Sequence, residues 1–184
     1  MSDGTQCVWF KRDLRILDHV PLARAAEHGP VLAIYMIEPE VTGAHDFDAM
    51  HWDFIRQSLN ELRESLRELG TDLQVVRGVA LEIFQALHEV HKIETIWAHE
   101  ETGNAITYRR DQAVVNWSKS AGIRFEEIPQ NGVLRRLKDR NGWARHWERR
   151  MSEPILPIPE NLNSVENLKV CDIPKSADLG LELS

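Results

Sequence analysis

Apolar residues along this chain follow two alternating rhythms as far as Ile128. Short apolar runs occur at residues 7–10 (CVWF), 31–37 (VLAIYMI) and 95–98 (TIWA), and mixed runs of apolar and polar residues at 71–77 (TDLQVVR) and 123–128 (IRFEEI). Their length, β-branched and aromatic content and bounding turn residues predict five strands, the second covered on both faces because it holds no charge. Between them the spacing becomes helical. Asp18 stands as an N-cap before Leu22, Ala23, Ala25 and Ala26, and Gly29-Pro30 closes that helix. Trp52, Ile55, Leu59, Leu62, Leu66 and Leu69 recur every three or four residues, which predicts the longest helix and leaves Arg56, Glu61, Arg63, Glu64 and Arg67 facing outward. Gly78 opens a third helix carrying Leu81, Ile83, Phe84, Leu87 and Val90. Residues 106–120 form a fourth, with Ala113, Val114 and Trp117 inward and Gly122 beyond its end. Strands alternating with helices predict right-handed βαβ units and a parallel sheet, an α/β fold.

The pattern breaks after Pro129. Residues 131–150 hold Arg135, Arg136, Lys138, Arg140, Arg145, Arg149 and Arg150 against Asp139 and Glu148, so seven minus two gives a local charge of +5. A short helix is expected over 144–151. From Pro154 the run Pro-Ile-Leu-Pro-Ile-Pro is incompatible with helix and reads as an extended linker. The division expected is a domain over 1–153 and a Pro-rich tether over 154–184.

Composition narrows the function classes. The net charge of −7 over 184 residues argues against a surface evenly dedicated to nucleic acid, while leaving room for a local basic patch. The two cysteines, Cys7 and Cys171, lie far apart and suit a reducing compartment, with Cys7 a core residue. The N-terminus MSDGTQ lacks the basic and apolar regions of a secretory signal, and no apolar run approaches the ~18 residues of a membrane span. The expectation is a cytoplasmic protein.

No G-x-G-x-x-G, P-loop or nucleophile elbow is present. His88 and His91 share a helix but lack a partner at ligand spacing, so no metal site is expected. Three loops should meet at the carboxyl edge of the sheet, where open α/β folds bind ligands. The first holds Lys11, Arg12, Asp13 and Arg15, which either tie the loop together or face a ligand. The second holds His45. The third is His99-Glu100-Glu101-Thr102-Gly103-Asn104, whose residues either act as acid and base or favour the start of the following helix.

The string WFKRDLR, followed by an Asp-initiated helix, resembles the opening of DNA photolyases and cryptochromes. Arg110-Asp111 early in the fourth helix, the Gly78 helix start and WERRMSEP at 147–154 extend the similarity to residues 6–155. The resemblance implies a Rossmann-like three-layer sandwich with a five-stranded parallel sheet of order 3-2-1-4-5. It implies a domain that holds a folate or deazaflavin antenna beside a larger helical domain carrying FAD, the lesion pocket and the electron-transfer tryptophans. Trp9, Trp52, Trp97 and Trp117 stand at core-type positions instead. The parent would be a light-driven, FAD-dependent photolyase splitting pyrimidine dimers in damaged DNA, its N-terminal half not catalytic alone. The alternatives are the same domain of a cryptochrome blue-light sensor, or a stand-alone nucleotide-binding module. By this resemblance His45 is a folate ligand, and Thr107 replaces the Glu that folate-binding members place early in the fourth helix. Lys11, Arg12, His45, Glu101 and Asn104 are the expected cofactor contacts, His45 as donor and Glu101 as acceptor. Asp13, Arg15, Arg110 and Asp111 are the expected structural cluster.

Overall fold

The computed structural model describes residues 4–135, 137 and 139–182. Five parallel strands, β1 (Thr5–Phe10), β2 (Val31–Ile37), β3 (Leu73–Arg77), β4 (Ile93–His99) and β5 (Arg124–Ile128), lie in the order β3-β2-β1-β4-β5. Register is set by Gln6 opposite Val31 on one side of β1 and opposite Thr95 on the other. Helices α1 (Val20–His28) and α3 (Ala49–Glu68) cover one face, around Val8, Phe10, Leu22, Trp52, Leu59 and Leu66. Helices α4 (Ala80–His91) and α5 (Ala105–Ser120) cover the other, around Trp9, Ile34, Phe84, Ile96 and Val114. A single turn, α2 (Pro39–Thr42), follows β2. Successive residues of a strand point to opposite faces, so the unbroken apolar run of β2 feeds both cores. Trp9, Trp52 and Trp97 are buried, and Trp117 packs partly buried on the second core.

Four local readings differ from the sequence pattern. His19, not Asp18, caps α1: its Nδ1 accepts the Leu22 N–H at 3.0 Å, while Asp18 adopts a left-handed φ of 52°. Arg63 is buried, its guanidinium donating to the carbonyls of Leu73 and Cys171. Val90 is exposed. On α5 Ala113 is exposed, and the buried positions are Thr107, Asp111, Val114 and Ser118, a mostly polar stripe that a hydrophobic count passes over.

Past Pro154 the chain is extended, as expected, but it is docked on the domain rather than trailing as a tether. Asp18 and Leu156 exchange two hydrogen bonds. Leu162 is buried and donates to the Leu69 carbonyl, Ser164 bridges to Val31, and Trp52 Nε1 donates to the Pro174 carbonyl. Gly70, at φ 102°, keeps this path open, because a Cβ there would press on the Leu162 carbonyl at 2.8 Å.

Candidate functional site

The loops after β1 and β2 and the start of α5 enclose a cleft of about 790 Å³ at the carboxyl edge of the sheet. It lies where the strand order reverses between β1 and β4, the usual ligand position of such sheets. One wall is apolar: Val41, Phe47, Met50, Phe54 and Ile55 line it, with Met50 and Phe54 open to solvent at the mouth. The other wall is charged, built from Lys11, Arg12, Glu38, Glu101 and Arg110.

That charged wall rests on a buried ion network. Lys11 Nζ meets Asp111 at 2.8 Å, and the Arg110 guanidinium touches Asp111 at 2.8 Å, Glu101 at 2.8 Å and Glu38 at 2.5 Å. Both cations lie over the Trp9 indole, at 4.8 Å for Lys11 and 4.7 Å for Arg110. Burial on its own disfavours charge on Arg110, but Asp111 and Glu38 outweigh it and raise its pKa. For Glu38 burial prevails: its carboxyl is pushed up despite Arg110, with Asp111 and Glu101 adding repulsion. Two cations face three carboxylates at this floor, and Arg12 at the rim balances the third when all are ionised. Arg12, largely exposed at the rim, lies 3.9 Å from Glu101.

Beside the cleft sits a second buried cluster that the sequence did not announce. Asp13 Oδ2 accepts from His19 Nε2 at 2.8 Å and from His99 Nδ1 at 2.5 Å, and its Oδ1 accepts the Lys11 N–H. All three side chains are buried. Burial alone would raise the Asp13 carboxyl, but the two histidine hydrogen bonds prevail and hold it well below the usual carboxylate range. Burial keeps the His19 ring below its ordinary value although Asp13 pulls the other way. The three ligand-type atoms lie within 4.8 Å of one another, a spacing that suits a metal ion. The proton pattern argues for a hydrogen-bonded cluster: His19 Nδ1 already accepts from Leu22, so the neutral ring carries its proton on Nε2, facing Asp13. The only advance signal was positional, two histidines at strand and helix junctions on the carboxyl edge.

Of the five expected contacts, Lys11, Arg12, Glu101 and Asn104 line the cleft. His45 is exposed and does not line it, although its neighbours Ala44 and Asp46 do. Glu101 is committed inward, accepting from the Gly103 N–H and from Arg110. Asn104 caps α5 by accepting from Ile106 and Thr107. Thr107 is buried, its hydroxyl donating to the Asn104 carbonyl. The expected structural cluster divides. Arg110 and Asp111 join Lys11, Asp13 takes histidine partners, and Arg15 donates to the carbonyls of Leu17 and Asp18. Residues the sequence reading passed over at this edge are Tyr35, Glu38, Phe47 and Phe54, which gain meaning only from where β2, α3 and the segment between them meet the cleft.

The basic segment folds as helix α6 (Trp143–Met151), one residue longer than expected, with no buried residue. Arg135 forms ion pairs with Glu127 at 3.0 Å and Glu100 at 2.9 Å, and Arg150 pairs with Glu153. Arg136 and Lys138 lie outside the described residues. Among the described residues no helix is long and apolar enough to cross a membrane.

A doubly wound parallel sheet with a charged, aromatic-walled cleft at its switch point is the architecture in which open α/β domains bind their ligands. Comparison with known proteins makes this particular. The family model described as DNA photolyase matches residues 6–140, and the chain belongs to that family of blue-light flavoproteins, the photolyases and cryptochromes, as their N-terminal α/β domain. It is 30% identical to a cryptochrome DASH of Gloeobacter violaceus, over 99% of this chain and 40% of that protein. A shorter stretch, 42% of the chain, is 44% identical to cryptochrome-1 of Arabidopsis thaliana, of which it covers 11%. Among solved structures, a cryptochrome of Synechocystis sp. PCC6803 superposes with a TM-score of 0.78 at 22% identity, over 96% of this chain and 40% of that one. An archaeal photolyase of Sulfolobus tokodaii, described with two FAD molecules, superposes with a TM-score of 0.67 at 20% identity, over 95% of this chain and 40% of that one. The chain spans about two fifths of the length of the Gloeobacter relative.

Proposed function

We propose that this domain holds a light-harvesting chromophore for an FAD-dependent photolyase that repairs pyrimidine dimers. Its partners are then a helical domain of the same protein and, through the whole protein, damaged DNA. The observation that carries the reading is the cleft: about 790 Å³, one wall aromatic and apolar, the other polar, at the switch point of the sheet. A flat ring fits between two such walls, the apolar one for stacking and the polar one for orientation.

The residues present do not fit the catalytic flavin. No glycine-rich loop offers backbone N–H groups to a pyrophosphate, and the cations of the cleft are already paired with carboxylates. FAD is therefore assigned to the helical domain, and the chain alone is read as non-catalytic. For the antenna the residues fit a ring that brings its own donors, because Lys11 and Arg110 are occupied by carboxylates. A folate finds neither a free Glu101 nor a carboxylate at Thr107, and loses a charge-assisted bond of about 1.5–3 kcal/mol, roughly ten- to a hundredfold in affinity. Flavin-type and deazaflavin-type rings are preferred over folate.

The test is a fluorescence titration of the chain with FMN, FAD, a deazaflavin and methenyltetrahydrofolate. Micromolar binding of at least one flavin-type ring, weakened at least tenfold by Phe54→Ala or Phe47→Ala, is expected. Indifference to both substitutions would move the ligand out of this cleft. The cryptochrome names among the curated relatives favour a second reading, the same domain in a blue-light sensor. Photoreversal of thymine dimers by the chain joined to a helical domain decides between them.

A further inference from the structure

Two polar groups of the cleft remain after its ion network is complete. Glu38 Oε1 takes the Arg110 guanidinium, whereas Oε2 has no hydrogen-bond partner among the described residues, and the side chain is only 12% exposed. The Tyr35 hydroxyl lines the same cleft, equally without a hydrogen-bond partner among the described residues. The two belong to one strand end, since Tyr35 lies near the end of β2 and Glu38 directly follows it. A mostly buried carboxylate oxygen with a spare lone pair and a phenol with a spare O–H make a complementary pair: one accepts, the other donates. Each opens onto the cleft and lacks a hydrogen-bond partner among the described residues, so each is a place where a ligand gains affinity by completing the bond.

Resting on the antenna reading, we infer that Glu38 and Tyr35 are the specificity-determining residues of the cleft, and that they select a heteroaromatic ring with a lactam edge. The ring N–H donates to Glu38 Oε2 and the adjacent ring carbonyl accepts from the Tyr35 hydroxyl. The charge balance points the same way. Lys11, Arg110 and, at the rim, Arg12 already face carboxylates, so the inner end offers no unpaired cation to an anion and favours a ligand that presents N–H. Burial pushes both the Glu38 carboxyl and the Tyr35 phenol up, as expected of groups that lack compensating partners. An anionic tail, if the ligand has one, belongs at the rim near Arg12, which is largely exposed.

The experiment compares riboflavin with 3-methylriboflavin, which differ only in the ring N–H, by fluorescence titration of the chain. Methylation is expected to weaken binding ten- to a hundredfold, the range of a lost hydrogen bond to a charged group. Tyr35→Phe, which keeps the ring and removes the O–H, is expected to weaken riboflavin about five- to tenfold. Glu38→Gln is expected to weaken riboflavin and to shrink the penalty of methylation; a thermal melt of each variant checks that it is folded. Equal binding of the two flavins by the unaltered chain overturns the assignment and leaves the antenna reading standing. Failure of riboflavin, FMN, FAD, deazaflavin and folate alike removes the antenna reading and this assignment together.

Discussion

At the cleft floor Lys11 and Arg110 face Glu38, Glu101 and Asp111, with no side chain of the five more than 12% exposed. Around α6, Arg140, Arg145 and Arg149 are exposed, and among the described residues Arg140 and Arg145 have no ion-pair partner. The α6 region is a dense cationic run along the chain, whereas the five floor residues come from segments scattered between positions 11 and 111. What separates them is where the fold puts them. The first gathers loop residues and the first turns of α5 over a switch point, so desolvation forces every cation to find a carboxylate. The second follows the last strand, on a helix with no buried residue, where water screens each charge. Local charge density thus says little about energetic weight until the topology is known.

The comparison breaks most visibly at Asp111. This carboxylate is buried and, alone among the described residues, forms ion pairs with both Lys11 and Arg110. Asp111→Ala strands Lys11 over the Trp9 ring and removes one of the three carboxylates around Arg110, and the expected loss is about 3–5 kcal/mol, the cost of uncovering a buried charge. Urea denaturation at neutral pH measures it. A loss below about 1 kcal/mol would mean that the floor is as well solvated as α6, and the contrast drawn above would be wrong.

A smaller effect comes from the histidines beside that floor. Because burial holds the folded His19 ring below its ordinary value, the folded state binds fewer protons there than the unfolded chain. Its share of the stability is therefore complete above the unfolded value of about 6.5 and is lost as the pH falls below it, by at most about 1.4 kcal/mol per pH unit. Asp13, held low, works in the same direction, but only as the pH falls below about 4. Glu38, pushed up, has the opposite sign, its share present below about pH 4.3 and lost as the pH rises. His19→Asn keeps a capping side chain at the start of α1 while removing the ring. Denaturation at pH 7.5, 6.5 and 5.5 should show the unaltered chain losing stability on acidification more steeply than this variant. Parallel profiles would take His19 out of the account.

These energetics also mark what was legible in the residues and what was not. The sheet was legible because burial on both faces writes itself as an unbroken apolar run, as in VLAIYMI, and α3 because its stripe keeps a helical period over 18 residues, from Trp52 to Leu69. The polar interior was hidden for the same reason. Asp111, Thr107 and Ser118 form the inner stripe of α5, and no scale of hydrophobicity places an aspartate inside. Partner choice was hidden too: Asp13 sits between two basic residues of the motif, Arg12 and Arg15 being its near neighbours, yet its carboxylate takes histidines from α1 and β4. The residues after Pro154 read as linker because the Pro-Ile-Leu-Pro-Ile-Pro run is incompatible with helix and the stretch beyond it is weakly patterned. A few of them, Leu162 and Val165 above all, suffice to fasten an extended chain whose hydrogen bonds go to a helix end and a strand.

The smallest expected effect sharpens the comparison inside the basic segment itself. Arg135 and Arg145 are ten residues apart in one run of like charge, but only Arg135 was drawn onto the sheet, where Glu127 on β5 and Glu100 after β4 hold it. Hydrogen bonding to Glu127 leads in raising its pKa, against the opposing effect of burial. Its side chain remains 25% exposed, so solvent takes back part of that interaction. Arg135→Ala is expected to cost about 1 kcal/mol, and more at low salt than at 0.5 M NaCl, since screening weakens pairs that water reaches. Arg145→Ala and Arg149→Ala, on the exposed helix, should stay within about 0.5 kcal/mol of the unaltered chain at either salt concentration. Thermal melts of the three variants at two salt concentrations make the measurement. An Arg145 or Arg149 effect equal to that of Arg135 would show that α6 packs on the domain through its arginines. Equal and negligible effects would show that the Arg135 pairs contribute nothing, and that the line between structural and free cations falls before residue 135.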